Sequence, residues 1–347
     1  MSLDDQWERA TLVGSIVGGY RVGKQIGAGA RGDVYEAEHL GLGTHVLLAI
    51  VPVPDAGAKA ADKLVAEGAK SPLFRHPHIV PLVDVGRVDA GTLYLATELV
   101  RGISLRTHLD GPMIDQRRAL GIMRQVLQAL AAAHELGVVH RDIKPENIVL
   151  QNAAGGGDHV QLLDFGVGKL LSDAPKLNVL GDLRYISPEC VLGDKVDARA
   201  DLYSAGAVLY EALTGHVPFE AKDVAALMRL HAYAPFQPLH QRAPERTFTP
   251  ELEQVVAGAL HKSRDQRYPS AAEMKVAIDD ALRSLGAPPT PSLILAPTAE
   301  PRLKRDSLEA LIPADMDRHV RPLPWWTRLF RFLRRVMDRM RKPGQPA

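Results

Sequence analysis

Short apolar runs divided by polar or glycine positions fill the first hundred residues: YRVGKQIG (20–27), GDVYEAE (32–38), HVLLAIV (45–51), VPLVDVG (80–86) and TLYLATELV (92–100). Runs of this length, rich in β-branched and aromatic side chains, predict strands. The stretch AADKLVAEGAK (60–70) interrupts them as an alanine-rich, mildly amphipathic helix that ends at Ser71-Pro72, because proline disfavours helix in the residue before it. Beyond residue 100 the period changes. RRALGIMRQVLQALAAAHELG, ADLYSAGAVLYEALTG and AAEMKVAIDDALRSLG space their apolar residues as amphipathic helices do. The pattern predicts an α+β chain with a leader at 1–19, a small β-rich lobe at 20–100 and a larger α-helical lobe at 101–285. Residues 286–324 carry Pro288, Pro289, Pro291, Pro297, Pro301, Pro313, Pro322 and Pro324, which favour an extended linker over a packed core.

The end of the chain has a different pattern. At 100° per residue, Trp325, Trp326, Leu329, Phe330, Phe332, Leu333, Val336, Met337 and Met340 share one face of a helix over 325–342. Arg328, Arg331, Arg334, Arg335, Arg339, Arg341 and Lys342 fill the other, opposed only by Asp338. A basic amphipathic helix of this kind suits an anionic membrane surface, or docks on protein.

The remaining composition narrows the class. With 347 residues and 46% hydrophobic content the chain can bury a sizeable core. A net charge of +1 gives no overall attraction to nucleic acid, and none is expected as a partner. The lone Cys190 forms no internal disulfide, so nothing calls for an oxidising compartment. The N-terminus is acidic where a signal peptide is basic, and no apolar run approaches the roughly eighteen residues of a membrane span. The expectation is a cytoplasmic protein, peripheral at the inner face of the membrane if residues 325–342 bind there.

Three motifs carry chemistry. GAGARGDV places Gly27, Gly29 and Gly32 in a G-x-G-x-x-G-x-V pattern, in which glycines let backbone N–H groups approach phosphate oxygens. The following VYEAEH reads as a strand, whereas a dinucleotide fingerprint would open a helix there. HRDIKPEN, from His140 to Asn147, is far more specific, and DFG follows at Asp164 to Gly166. HELGVVH spaces its histidines six apart instead of the four of a metalloprotease helix.

In order and spacing, residues 20–285 resemble the eukaryotic-type (Hanks-type) Ser/Thr protein kinases, particularly their bacterial branch. The resemblance implies the two-lobed protein kinase fold, ATP and Mg2+ as nucleotide and metal, and protein substrates or signalling partners. It implies that Asp142 orients the substrate hydroxyl and accepts its proton, that Lys144 steadies the transferring phosphoryl group, and that Asn147 and Asp164 hold magnesium. Ile26, Gly27, Gly29, Gly32 and Val34 would cover the nucleotide. Thr97 would be the gatekeeper, Glu98 to Val100 the hinge that meets adenine, and Val149 the pocket floor. Glu189, in SPE, would pair with Arg267, and Asp201 would cap the backbone of the catalytic loop.

The resemblance also exposes departures. THVLLAIVPVP (44–54) contains no lysine. The family's V-A-I-K lysine falls at Ala49, although Glu67, its usual partner, is present. Leu47 stands where an alanine roofs the adenine pocket. Asp182 replaces the usual threonine and would sit near Asp142 and Lys144, able to capture the lysine or repel the base. Ser71 replaces an apolar residue that anchors the helix at 60–70. Arg31, at the tip of the glycine loop, and Lys24, on the strand before it, are candidate replacement cations, although long charged side chains of this kind more often read as solvated surface residues. Between Asp164 and Arg184 the only hydroxyl residue is Ser172, so Arg141, which often receives an activation-loop phosphate, would need Asp173 or Asp182 instead. Two functions follow. One is a Ser/Thr kinase attenuated by the lost lysine; the other is a pseudokinase that signals as a scaffold or allosteric module.

Overall fold

The computed structural model describes residues 12–29, 32–53, 61, 62, 65, 75–153, 156–164 and 182–286. All lie in the first of two units, Met1–Ala287. Glu67, Ser71, Arg31, Asp173, the linker at 286–324 beyond Gly286, and the helix expected at 325–342 fall outside the described residues.

A six-stranded antiparallel sheet forms the first lobe, in the order β1 (Ile16–Val17), β2 (Tyr20–Gly29), β3 (Gly32–His39), β4 (His45–Pro52), β6 (Thr92–Glu98) and β5 (Leu82–Asp89). The sheet begins earlier than the expected boundary at residue 20. Ile16 pairs with Arg21 and Val17 with Tyr20, and the Gly14 N–H bonds the Val22 carbonyl at 2.8 Å. The cause is the apolar pair Ile16-Val17, of which Val17 is buried with Tyr20 and Val22.

Alternation along β4 sorts its side chains between two apolar clusters. Val46 and Leu48 bury with Tyr20, Val22, Tyr35, Ala37, Tyr94 and Ala96 on one face, and Ile50 packs against them. Val51 belongs to the other cluster, with Ala49 packed against it; that cluster also holds Leu93 and Leu95 and runs into the helical lobe. Ala61, in the segment expected as a helix over 60–70, is helical and fully buried in the same cluster.

The second lobe is built on α1 (Leu105–Leu109), α2 (Gln116–Glu135), α3 (Pro188–Leu192), α4 (Arg199–Thr214), α5 (Val224–Tyr233), α6 (Leu239–Arg242), α7 (Pro250–Ala259) and α8 (Ala271–Ser284). Asp115 starts α2 by accepting the N–H groups of Arg117 at 2.9 Å and Arg118 at 3.2 Å, and Thr249, Asp223 and Ser270 start α7, α5 and α8 in the same way. Such caps satisfy donors that a helix start leaves unpaired. Helix α4 is buried from Ala200 to Thr214 except Ser204, so it is the central post of the lobe. A small sheet joins β7 (Ile103–Ser104), β8 (Ile148–Asn152) and β9 (Asp158–Leu162), with α1 and α2 falling between β7 and β8 in the chain.

The two sheets are stitched through backbone. Val80 N–H donates to the Leu162 carbonyl at 3.1 Å, and Leu162 N–H donates to the His78 carbonyl at 2.9 Å. Among the described residues no helix is long and apolar enough to cross a membrane.

Candidate active site

The segment between α2 and β8 carries His140 to Asn147 in an extended loop closed by a short turn at Pro145–Asn147. Its shape is imposed by Asp201, near the start of α4. That carboxylate is fully buried and accepts the N–H groups of His140 and Arg141, each at 2.8 Å. His134 Nε2, from the end of α2, adds a third contact at 2.8 Å. Arg141 is thereby held at φ +67°, a left-handed conformation that costs a non-glycine residue free energy and persists only where surroundings over-determine it. His140 turns its ring inward, with Nε2 2.8 Å from the Leu163 carbonyl.

These restraints gather three polar side chains. The buried Asp142 carboxylate receives the Asn147 side-chain N–H at 3.0 Å and the Lys144 ammonium at 3.0 Å, both at Oδ2. Asn147 Nδ2 also donates to the Asp142 carbonyl at 2.8 Å. The Asn147 amide is oriented by these two bonds. Its backbone carbonyl accepts the Leu163 N–H at 2.9 Å, which brings the chain at Asp164 beside the loop. Asp164 is exposed and has φ +64°; Phe165 and Gly166 lie outside the described residues.

The nucleotide-side residues lie on the large sheet. Gly27 pairs with Val34 and Gly29 with Gly32 across the β2–β3 hairpin. Gly32 has φ +121°, and a Cβ there would fall 1.9 Å from the Ile50 carbonyl oxygen, so the close approach of β3 to β4 requires glycine. Val34 sits opposite Ala49 on β4, and Ala49 opposite Leu95 on β6. Leu47, two residues back on the same face, pairs with Thr97. The register therefore puts a methyl group where the resemblance expects an ammonium, and an isobutyl group where it expects a methyl. Ile26, Glu98 and Lys24 are exposed, Thr97 and Val100 half-buried. Val149, 7% exposed on β8, is packed so tightly on Gly102 that a Cβ at Gly102 would lie 2.5 Å from its Cγ1.

The Asp182 expectation needs correction. Asp182 does not take Lys144: among the described residues Lys144 forms its ion pair with Asp142 alone. Asp182 instead starts the short turn Leu183–Tyr185 and binds Arg184, whose backbone N–H lies 3.0 Å from Oδ1 and whose Nε lies 2.9 Å from each carboxylate oxygen, with Nη2 also on Oδ2. Burial pushes the Asp182 carboxyl up, but the Arg184 bonds, with Lys144 adding its charge, outweigh it and hold the group below the usual carboxylate range. Nor does Asp182 serve Arg141, whose buried Nε has no hydrogen-bond partner among the described residues. The physical reason is local. A guanidinium two residues along the same turn reaches the carboxylate with little chain to order.

Sequence reasoning missed the groups around this turn. Glu146 lies 3.3 Å from Arg184 Nη2 and 3.4 Å from Arg106 Nε. Arg106 continues to Glu211 at 2.7 Å and to the Tyr185 hydroxyl at 2.9 Å, and Tyr185 donates to Glu211 at 2.5 Å. The Asp182-x-Arg184 spacing was the one available signal; the rest joins residues far apart in sequence. The structure also brings Glu189 and Arg267 together, with Nη1 and Nη2 at 2.8 and 2.7 Å from the two carboxylate oxygens.

The arrangement offers a carboxylate with a cation and an amide at one oxygen, and a β4 face that presents Leu47 and Ala49. Residues 20–277 match the family described as protein kinase domain. The chain is 33% identical over 333 residues to serine/threonine-protein kinase pkn3 of Myxococcus xanthus, covering 88% of this chain and 60% of that one. It is 36% identical over 277 residues to serine/threonine-protein kinase PknD of Mycobacterium tuberculosis, covering 78% and 40%. The crystal structure of the Mycobacterium tuberculosis PknI kinase domain superposes with a TM-score of 0.60 at 26% identity, over 77% of this chain and 98% of that one. The chain thus spans less than two-thirds of the length of these curated relatives.

Proposed function

The chain belongs to the protein kinase family, in its bacterial Ser/Thr branch, and on that premise we propose that it transfers the γ-phosphoryl group of Mg-ATP to protein hydroxyls at an attenuated rate. The observation that carries this reading is the convergence of Lys144 and Asn147 on one oxygen of Asp142, each at 3.0 Å.

Each residue has a task that its surroundings support. Asp142 presents a carboxylate to accept the proton of an incoming hydroxyl, as a positioned general base does. Its Oδ2 is occupied by Lys144 and Asn147, which fixes the carboxylate plane. Lys144, half-buried beside the base, supplies positive charge next to the acceptor oxygen as charge develops there. The Asn147 amide oxygen and the Asp164 carboxylate are hard oxygen donors, the chemistry a magnesium ion requires. Bound there, the ion would neutralise phosphate charge during transfer. Asp201 holds the loop through two N–H groups, so the base does not have to be reorganised during reaction.

Attenuation follows from the β4 register. A charge-assisted hydrogen bond is worth roughly 1.5–3 kcal/mol, and Ala49 offers none. Loss of one transition-state donor typically lowers a rate by about 10²–10³, which weakens catalysis without removing the base. The same observation favours a second reading, a pseudokinase that acts as a scaffold or allosteric module, since Leu47 adds bulk on the face where a nucleotide would lie.

Transfer of labelled γ-phosphate to the protein and to a generic basic substrate, with Asp142→Ala alongside, separates the two. Label that disappears in the variant supports the kinase; none in either supports the scaffold. The basic helix read at 325–342 suggests a peripheral site on an anionic membrane. Co-sedimentation with anionic liposomes tests this: equal binding by the full chain and a chain ending at Gly286 removes it.

A further inference from the structure

Three histidine rings form a column at the joint between the two sheets. The ring centroids of His76 and His78, on the turn before β5, are 5.5 Å apart, and those of His78 and His159, on β9, are 5.2 Å apart. The backbone of the same turn carries the joint, through the Leu162 N–H on the His78 carbonyl at 2.9 Å and the Val80 N–H on the Leu162 carbonyl at 3.1 Å. The rings add to it. His78 Nδ1 lies 2.9 Å from the Val160 carbonyl, and a carbonyl only accepts, so this nitrogen carries a proton. His76 Nδ1 receives the His78 backbone N–H at 3.2 Å, so this nitrogen is bare.

Acid changes both rings. A second proton on His76 goes to Nδ1, where it takes the acceptor away from the His78 N–H. A second proton on His78 goes to Nε2 and places a positive charge beside two further imidazoles. The carboxylates around the column are already engaged: Asp158, next to His159, holds Arg118 at 2.8 Å, and Asp279 of α8 lies 3.7 Å from Arg124 of α2. Burial, with the His78 charge adding, holds His76 below the usual histidine range. Burial, with the charges of His159 and Arg124 adding, holds His78 below it against the bonds to Val160 and Gln128.

We propose that this column makes the joint between the sheets acid-sensitive: neutral rings hold the turn at 76–79 on β9, and protonation of His76 and His78 loosens it. An opened joint takes up protons first as pH falls below the ordinary histidine value of 6.5, so the joint is held above that value and weakens below it. The transfer site is one residue away. Leu163, next to Leu162, donates its N–H to the Asn147 carbonyl at 2.9 Å and offers its own carbonyl to His140 Nε2 at 2.8 Å.

The test is amide hydrogen exchange of the full chain on either side of the histidine range, at about pH 7.5 and about pH 5.5, corrected for the intrinsic effect of pH. Val80 and Leu162 are read against Leu209 and Tyr210 in the buried helix α4. Protection at Val80 and Leu162 is expected to fall by about tenfold or more at the lower pH, as one unit of linked protonation implies, while α4 is unchanged. No loss at the joint, or an equal loss in α4, overturns the proposal. His76→Asn keeps an acceptor for the His78 N–H, His78→Asn keeps a donor for the Val160 carbonyl, and neither takes up a proton. In the double variant the loss should therefore disappear, and a loss that persists also overturns the proposal. Ring nitrogen resonances of the wild type decide the matter even where the double variant does not fold. They should show a bare Nδ1 on His76 and a protonated Nδ1 on His78 at the higher pH, each ring charging as the amides lose protection. Reversed tautomers, or rings that charge with no change at the amides, overturn it. Phosphoryl transfer should fall over the same range; its absence at every pH counts against the kinase reading, and the amides still decide the joint.

Discussion

Arg267 and Glu189 face each other as a two-pronged pair, at 2.8 and 2.7 Å, with side-chain exposures of 0% and 6%. The same guanidinium donates to the carbonyls of His261, Arg199 and Lys262, so it ties the start of α3 to the start of α4 and the end of α7. Arg267→Ala leaves a buried carboxylate without its cation, a change that costs about 3–5 kcal/mol. Urea unfolding should show that loss. Replacing both residues with apolar ones of similar size should cost less than the single change, and the opposite order would show that the pair contributes net stability.

Restoring the missing cation is the direct test of the β4 register. Because Ala49 lies between Val34 and Leu95, Ala49→Lys places an ammonium on the face shared with Leu47. If that face meets nucleotide phosphates, affinity for Mg-ATP or the transfer rate should rise by roughly tenfold or more, as one charge-assisted bond implies. No gain in either, measured by calorimetry and by label transfer, would show that Leu47 keeps nucleotide from that face.

Asp201 concentrates three contacts in a fully buried carboxylate. Asp201→Ala strands the N–H groups of His140 and Arg141, each at a cost of about 1–3 kcal/mol. Amide hydrogen exchange at 140 and 141 should accelerate together in the variant. Unchanged protection would mean that other parts of the fold hold the loop.

Two groups at the end of α5 set a dependence on pH. Lys262 Nζ is buried against the carbonyls of His231 at 2.8 Å and Leu230 at 3.1 Å, with the Tyr203 hydroxyl at 3.4 Å and the Phe219 ring centroid at 4.1 Å. Burial, with the Arg267 charge adding, pushes its ammonium down to about 7. Burial, with the Lys262 charge adding, pushes the neighbouring His231 down to about 3. An unfolded chain holds more protons than the folded one between about 7 and the ordinary lysine value of 10.5, and again between about 3 and 6.5 for the histidine. Stability contributed here therefore rises with pH through the upper window and falls as pH drops through the lower one. Unfolding free energy compared at pH 7 and pH 9 should climb more steeply in the wild type than in Lys262→Met, by roughly 1–2 kcal/mol. Parallel slopes would refute it.

The helices at 116–135 and 271–284 were legible because each buries one face and so writes a period into the sequence, whereas the strands at 45–52 and 92–98 and the helix at 199–214, buried on more than one side, were legible as dense apolar runs. The segment at 16–17 was not, since two apolar residues are too short to show a period. HRDIKPEN marked the loop that holds Asp142, Lys144 and Asn147, because its chemistry needs particular side chains at fixed spacing. The same reasoning identified the aspartate at 182 without its partner. Whether a carboxylate takes Lys144 or Arg184 is decided by reach in three dimensions, and Arg106 and Glu211, 105 positions apart, leave no local trace of their contact.

The stitch at His78, Val80 and Leu162 has a mechanical consequence. Among the described residues, the covalent run from β6 through residues 99–102 into β7 and the hydrogen bonds at 3.1 and 2.9 Å both join the two sheets. A slide of the large sheet past Leu162 therefore has to break backbone bonds, and the strain would reach the neighbouring Leu163 carbonyl, on which His140 rests.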